Sequence, residues 1–183
     1  MNDRVKHGFY IGHRLGRISE YFISEQIRGS DPDTLRRART VTHFSLALIT
    51  AGIFYSIVYV GMGLIESAIQ VTLASSIALI NIRVLRRTSN LKLAATVLAL
   101  VLFWILTELA LHQGGETSPS LYWYALMPVL ATLLSGRRAG LIWTVVTILA
   151  HCVFVLGRDF GIQYEQVLPE SSQRFWRFLV LVG

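Results

Sequence analysis

Five stretches of this chain are apolar over, or nearly over, the roughly 20 residues that a helix needs to cross a hydrocarbon layer about 30 Å thick. They run from Val41 to Leu64, Ile65 to Ile82, Leu93 to His112, Pro119 to Leu134 and Ala139 to Gly157. Backbone inside lipid must satisfy its own hydrogen bonds, so such runs are confined to helices. The second is diluted by Gln70, Thr72, Ser75 and Ser76, and the fourth is short. A sixth begins at Phe175 and stops at Gly183, which implies a chain that continues, completes the span and carries further domains. The expected fold class is all-α: a polytopic membrane helical bundle of five complete spans and the start of a sixth, preceded by an amphipathic cytoplasmic helix. Residues 1–40 form the cytoplasmic segment and 41–183 the transmembrane bundle.

With 53% hydrophobic and only 15% charged residues, the composition is too oily for an ordinary soluble domain of 183 residues. The net charge of +6 sits beside apolar runs rather than among aromatics on a polar face, so the partner it fits is a lipid bilayer, not nucleic acid. Of the 17 Lys and Arg, all but Arg158, Arg174 and Arg177 fall before span one, between spans two and three (Arg83, Arg86, Arg87, Lys92) or between spans four and five (Arg137, Arg138). By the positive-inside rule those segments, and the N-terminus with them, are cytoplasmic. No secretory signal opens the chain. Helix punctuation agrees with the count: Asp31-Pro32 and Ser118-Pro119 place capping residues before first-turn prolines, Ser89 is available to cap span three, and Gly136 closes span four in a tight turn.

Ahead of span one, Ile11, Leu15, Ile18 and Phe22 recur at helical spacing among basic residues. That pattern reads as a helix lying flat on the inner leaflet, with packing on a partner chain or a downstream domain as the competing reading. Residues 158–174 make the longest external loop. Cys152, the single cysteine, reads as a small buried hydrophobe.

The candidate site follows from one acidic residue. Glu108 lies in the third apolar run, one helical turn before His112, so the two share a face. A carboxylate turned to hydrocarbon costs on the order of a few kcal/mol, which directs Glu108 toward the bundle interior or a wet cavity. Partners at similar depth are Trp123 and Tyr124 on span four and His151 on span five, with Tyr55, Tyr59 and Met62 on span one and Glu66 and Gln70 on span two. These would form a cavity with aromatic walls and a few hydrogen-bonding groups, the profile of a small-molecule site. Glu108, His112, Trp123, Tyr124 and His151 are the expected ligand contacts. The aromatics also fit an interfacial belt, and His151 a core histidine. No zinc, hydrolase, kinase or cyclase motif occurs, and the histidines do not pair at one depth as haem ligands would. No catalytic residue, cofactor or metal is expected of this chain.

The run Gly114-Gly-Glu-Thr-Ser-Pro-Ser-Leu-Tyr-Trp-Tyr-Ala-Leu-Met-Pro128, followed by Ala131-Thr-Leu-Leu-Ser-Gly-Arg-Arg-Ala-Gly-Leu-Ile-Trp143, resembles the six-helix N-terminal sensor regions of bacterial histidine kinases, diguanylate cyclases and related membrane nucleotide cyclases. The resemblance covers roughly Val41 to the end. It implies a homodimer whose helices transmit a signal to an attached output domain, with a histidine kinase favoured.

The expected function is a receptor module that takes a small or lipophilic signal in its outer half and regulates that domain. One rival is a small transporter or channel using Glu108 and His151. Another is a passive dimerisation anchor packing through small residues such as Ala74 and Ala78.

Overall fold

The computed structural model describes residues 21–162 together with Tyr164. Ile11, Leu15, Ile18, the greater part of the external loop and the start of the sixth span lie outside them. Within the described residues the chain forms α1 (Glu25–Arg28), α2 (Pro32–Gly61), α3 (Ile65–Thr88), α4 (Leu91–His112), a 3-10 turn (Gly115–Thr117), a 3-10 segment (Pro119–Ala125), α5 (Leu126–Ser135) and α6 (Arg137–Asp159). It is an all-helical membrane protein.

α2 starts where its sequence says it should. The Asp31 carboxylate accepts from the amides of Asp33 (3.1 Å) and Thr34 (3.0 Å), and Pro32 supplies the first-turn backbone angle. The Thr34 hydroxyl and amide bonds hold the Asp31 carboxyl below the ordinary carboxylate range. The helix then runs through residues 40 and 41 without interruption to Gly61. Gly63, at φ 76°, reverses the chain into α3.

The polar residues of the second apolar run are absorbed by the helix itself. Thr72, Ser75 and Ser76 each return their hydroxyl to the carbonyl four residues back, at 2.7, 2.9 and 2.8 Å. Thr72 also meets Ser56 of α2 at 2.9 Å. At the other end of α3, Ser89 does not cap α4. It closes α3 in a left-handed conformation (φ 55°), and Asn90 caps α4 by accepting from the Leu93 amide at 3.0 Å. The Asn carboxamide reaches the third amide while leaving Ser89 free to turn the chain.

Four of these helices, α2, α3, α4 and α6, are long and apolar enough to cross a membrane. The expected fourth span does not meet that description, because it is split into the seven-residue 3-10 segment and the ten-residue α5. Pro128 is the physical reason: a proline ring clashes with the carbonyl four residues earlier, so a regular helix can hold it only in its first turn. α5 accordingly begins at Leu126, and the residues before it wind more tightly.

α2 packs on α3, α3 on α4, and α4 on the 3-10 segment and α5, while α6 lies along α5. Gly136 (φ 93°) makes the α5–α6 turn. Burial is 44% across the apolar windows of α3 and α4 but 17% for α2 and α6, so the latter two present most of their surface outward. That placement corrects two sequence expectations. Cys152 and His151 both lie exposed on α6 rather than in the core. Ala74 and Ala78, read above as possible dimer contacts, are buried within the single chain.

The segment before α2 also differs from the flat surface helix expected. Its described part breaks at Ile23 and Ser24, and Ile23 and Ile27 enter a cluster with Ala38, Val41, Leu85, Ala94, Ala95, Leu98 and Leu134. Ser24 meets Ser89 at 2.8 Å, and the Arg86 guanidinium lies 4.0 Å above the Tyr21 ring. The bundle's own end offers these isoleucines a closed apolar pocket, which a headgroup layer does not.

At the α5–α6 crossing, a Cβ on Gly140 would collide with the Thr132 side chain. Gly140→Ala is expected to cost about 1–3 kcal/mol by overpacking, and Gly140→Ala with Thr132→Ala to recover part of that. Thermal unfolding of the purified protein checks both.

Candidate functional site

A cavity of about 290 Å³ opens between α2, α3, α4 and the 3-10 segment. Its walls are Leu48, Ala51, Gly52 and Tyr55 from α2, Val71, Ala74 and Ser75 from α3, and Leu102, Ile105, Leu106 and Leu109 from α4. Tyr59, Gln113, Pro119, Ser120 and Trp123 complete it. From Tyr59 down to Leu48, at 1.5 Å per residue, the slot extends about 16 Å along α2. The α4 lining from Gln113 to Leu102 covers the same length, so the space is elongated parallel to the helices.

The slot exists because small residues face one another across it. Gly52 lies so close to Ser75 that a Cβ there would overlap the serine hydroxyl, and Ala51 and Ala74 leave room where larger side chains would meet.

Its polar end is built by the connection after α4. Gln113 closes α4, its amide reaching the Ala110 carbonyl at 3.3 Å. Gly114 (φ 92°) and Gly115 (φ 59°) then take left-handed conformations that turn the chain back on itself. Ser118 caps the 3-10 segment through the Ser120 amide (3.2 Å), and both serines come to lie over the Gln113 side chain. The Gln113 Nε2 group donates to the Tyr59 hydroxyl at 3.0 Å. Its Oε1 accepts from Ser120 Oγ at 3.1 Å and from Ser118 Oγ at 3.4 Å. All four residues are buried, from 2% exposure for Tyr59 and Ser118 to 7% for Gln113 and Ser120. One carboxamide thus ties α4, the loop and α2 together, in surroundings where an unpaired polar group is expensive. Among the described residues no charged one lines the cavity.

The five residues singled out in the sequence are distributed differently. Trp123 stands in the cavity wall. Glu108 and His112 pair along one face of α4, Oε2 to Nε2 3.7 Å, with side chains 28% and 32% exposed, and neither lines the cavity. Tyr124 is buried on the far side of α4, its hydroxyl 2.6 Å from Thr107 and its ring stacked on Phe103 at 5.6 Å. His151 is on the outward face of α6 and does not meet Glu108. Among the other residues considered, Tyr55 and Tyr59 line the slot, and Met62 packs against the apolar cluster that holds Tyr59. Gln113, Ser118, Ser120 and Gly52 were not anticipated. The one sequence signal for the first three is a glutamine at a helix end, a glycine pair and a Ser-Pro-Ser turn in eight consecutive residues. Among the described residues no three His, Cys, Asp or Glu gather as metal ligands.

The sequence model of the MASE11 family, a family of membrane-associated sensors, matches residues 36–182. A protein named hybrid signal transduction histidine kinase K, from Dictyostelium discoideum, is 22% identical over 107 residues, which are 58% of this chain and 9% of that protein. The chain therefore corresponds to a small part of that relative's length. No solved structure matches.

Gln113→Leu removes the carboxamide, and with it one hydrogen bond each of Tyr59, Ser118 and Ser120 and both buried polar ends it tied together. Each buried group left short of a partner costs about 1–3 kcal/mol, so the variant is expected to unfold at clearly lower temperature than wild type. Tyr59→Phe, which strands only one amide hydrogen, is expected to lose less in the same measurement.

Proposed function

The chain belongs to the MASE11 family, and on that premise we propose that it is the sensory input region of a longer signalling protein, receiving a small or lipophilic signal inside the bilayer. The observation that carries this reading is the elongated cavity at the end of the bundle opposite the basic loops. It lies between helices whose ends lead to both sides of the membrane. A ligand there can bias the bundle only by binding one arrangement more tightly, and a tenfold difference in affinity supplies about 1.4 kcal/mol of bias.

In the proposed topology the end bearing Arg83, Arg86, Arg87, Arg137 and Arg138 is cytoplasmic and the cavity lies in the outer half, in the inner membrane of a bacterium. The 3-10 segment and α5 together act as a further crossing. Seven residues at about 2.0 Å and ten at about 1.5 Å rise give roughly 29 Å, close to the hydrocarbon thickness. Tighter winding compensates for the small number of residues. The signal is proposed to pass to the cytoplasm, where the name of the Dictyostelium discoideum relative favours a histidine kinase as the output. The working unit is proposed to be a homodimer.

Trp123 is the proposed ligand contact among the residues first singled out. Glu108 and His112, paired beside the slot, are proposed to report its occupancy, because any rotation of α4 changes how far the carboxylate faces lipid. The transporter reading has less support, since its Glu108 and His151 stand apart on different surfaces.

Two experiments on the full-length protein test the proposal. Exchanging residues 41–183 for an unrelated dimeric membrane anchor is expected to abolish stimulus-dependent output, and a retained response would leave the region no sensory role. Glu108→Ala is expected to remove the response while the protein still folds and dimerises.

A further inference from the structure

We infer that the slot selects an uncharged amphiphile: an apolar body of about ten non-hydrogen atoms with one hydrogen-bond acceptor at the end nearest Gln113. This deepens the sensory reading, on which its biological purpose rests, but the binding chemistry is argued from the cavity alone.

Charge is excluded by what surrounds the space. Among the described residues no acidic or basic side chain lines it, and an ion moved from water into such a slot would lose its hydration without a counter-charge. Size follows from the volume: about 290 Å³, at roughly 30 Å³ per water-sized group, admits about ten such groups. The 16 Å length makes them a chain or a narrow ring system rather than a compact ball.

Polarity is segregated along the slot. Leu48, Ala51, Gly52 and Leu102 form one end, and the Ser75 hydroxyl between the ends is already committed to the Val71 carbonyl. The other end holds Gln113 and Ser120. Counting the Gln113 carboxamide identifies which ligand group it can take. Its oxygen has two lone pairs, which accept from Ser118 and Ser120, and its nitrogen carries two hydrogens, of which one goes to Tyr59. Among the described residues nothing accepts the second. A carbonyl, ether or hydroxyl oxygen placed at that end of the slot completes the set, and a hydrocarbon leaves the donor unmet. Small residues on α2 and α3 provide the width, so the site is closed by bulk introduced there rather than by loss of a specific contact.

The test uses the full chain in lipid nanodiscs and tritiated 2-decanone as probe, with empty nanodiscs as the partitioning background. Saturable binding is expected. Unlabelled 2-decanone should displace it about fivefold to tenfold more effectively than decane, the value of one hydrogen bond, and decanoate and decylammonium should fail to displace it. Ala51→Phe, which fills the apolar end away from the polar network, should abolish saturable binding without lowering the thermal midpoint. Equal displacement by ketone and alkane overturns the acceptor subsite, and preferential displacement by either ion overturns the uncharged class. Undiminished binding in Ala51→Phe overturns the placement, and the ketone-to-alkane comparison needs no variant. The sensory reading fails separately: if 2-decanone binds as expected and the output of the full-length protein neither responds to it nor changes in Ala51→Phe, the site stands and its signalling role does not.

Discussion

The end of the bundle that holds the cavity depends on one carboxamide. Gln113 caps the C-terminal end of α4, where an apolar helix gives way to a loop that must fold back over it. In water the donors and acceptors there would be met by solvent, and the loop would be free to swing. Buried among helices they must be met by protein. Three hydrogen bonds of one side chain join α2, the end of α4 and the Ser-Pro-Ser turn, and so close the polar end of the slot.

The basic end is secured by different means. Ile23 and Ile27 insert beneath the helices, Ser24 meets Ser89, and Ala38, Ala94 and Ala95 let the backbones approach closely. Small residues are the usual route to tight helix contact in membranes, where lipid is as apolar as leucine and burial alone gives little drive. Further along, the same use of small residues takes a different form. Gly52 and Ser75 touch while Ala51 and Ala74 stand beside open space, so close approach at one point leaves a hollow next to it. The molecule is thus closely packed at one end, pinned by polar bonds at the other, and least filled between α2, α3 and α4.

α6 occupies a separate position. It is anchored to α5 through the Gly136 turn and the Gly140 crossing, with most of its remaining surface directed outward. His151 and Cys152 lie on that surface, which is why His151, placed by depth with Glu108, does not meet it. Depth along a helix is readable from counting. Azimuth depends on which neighbours the helix chooses: α6 packs mainly on α5 and turns Trp143 and Phe154, not His151, toward α4.

That distinction also describes what could be read from the chain. Apolar runs of the right length identified α2, α3, α4 and α6, and Asp31-Pro32, Ser118-Pro119 and Gly136 marked their turns, because lipid forces backbone to pair locally and local pairing leaves a local signature. Tyr55, Tyr59 and Trp123 stand in the wall of one cavity. The split of the fourth run, the course of the segment before α2, and the burial of Ala74 and Ala78 were not legible. They depend on contacts between residues far apart in the chain. Most of all, only the tertiary structure decided that the polar centre is Gln113. A lone glutamine at a helix end has no distinguishing pattern in the sequence, and it acquires its role when a loop and a distant helix bring three hydroxyls to it in a place water does not reach.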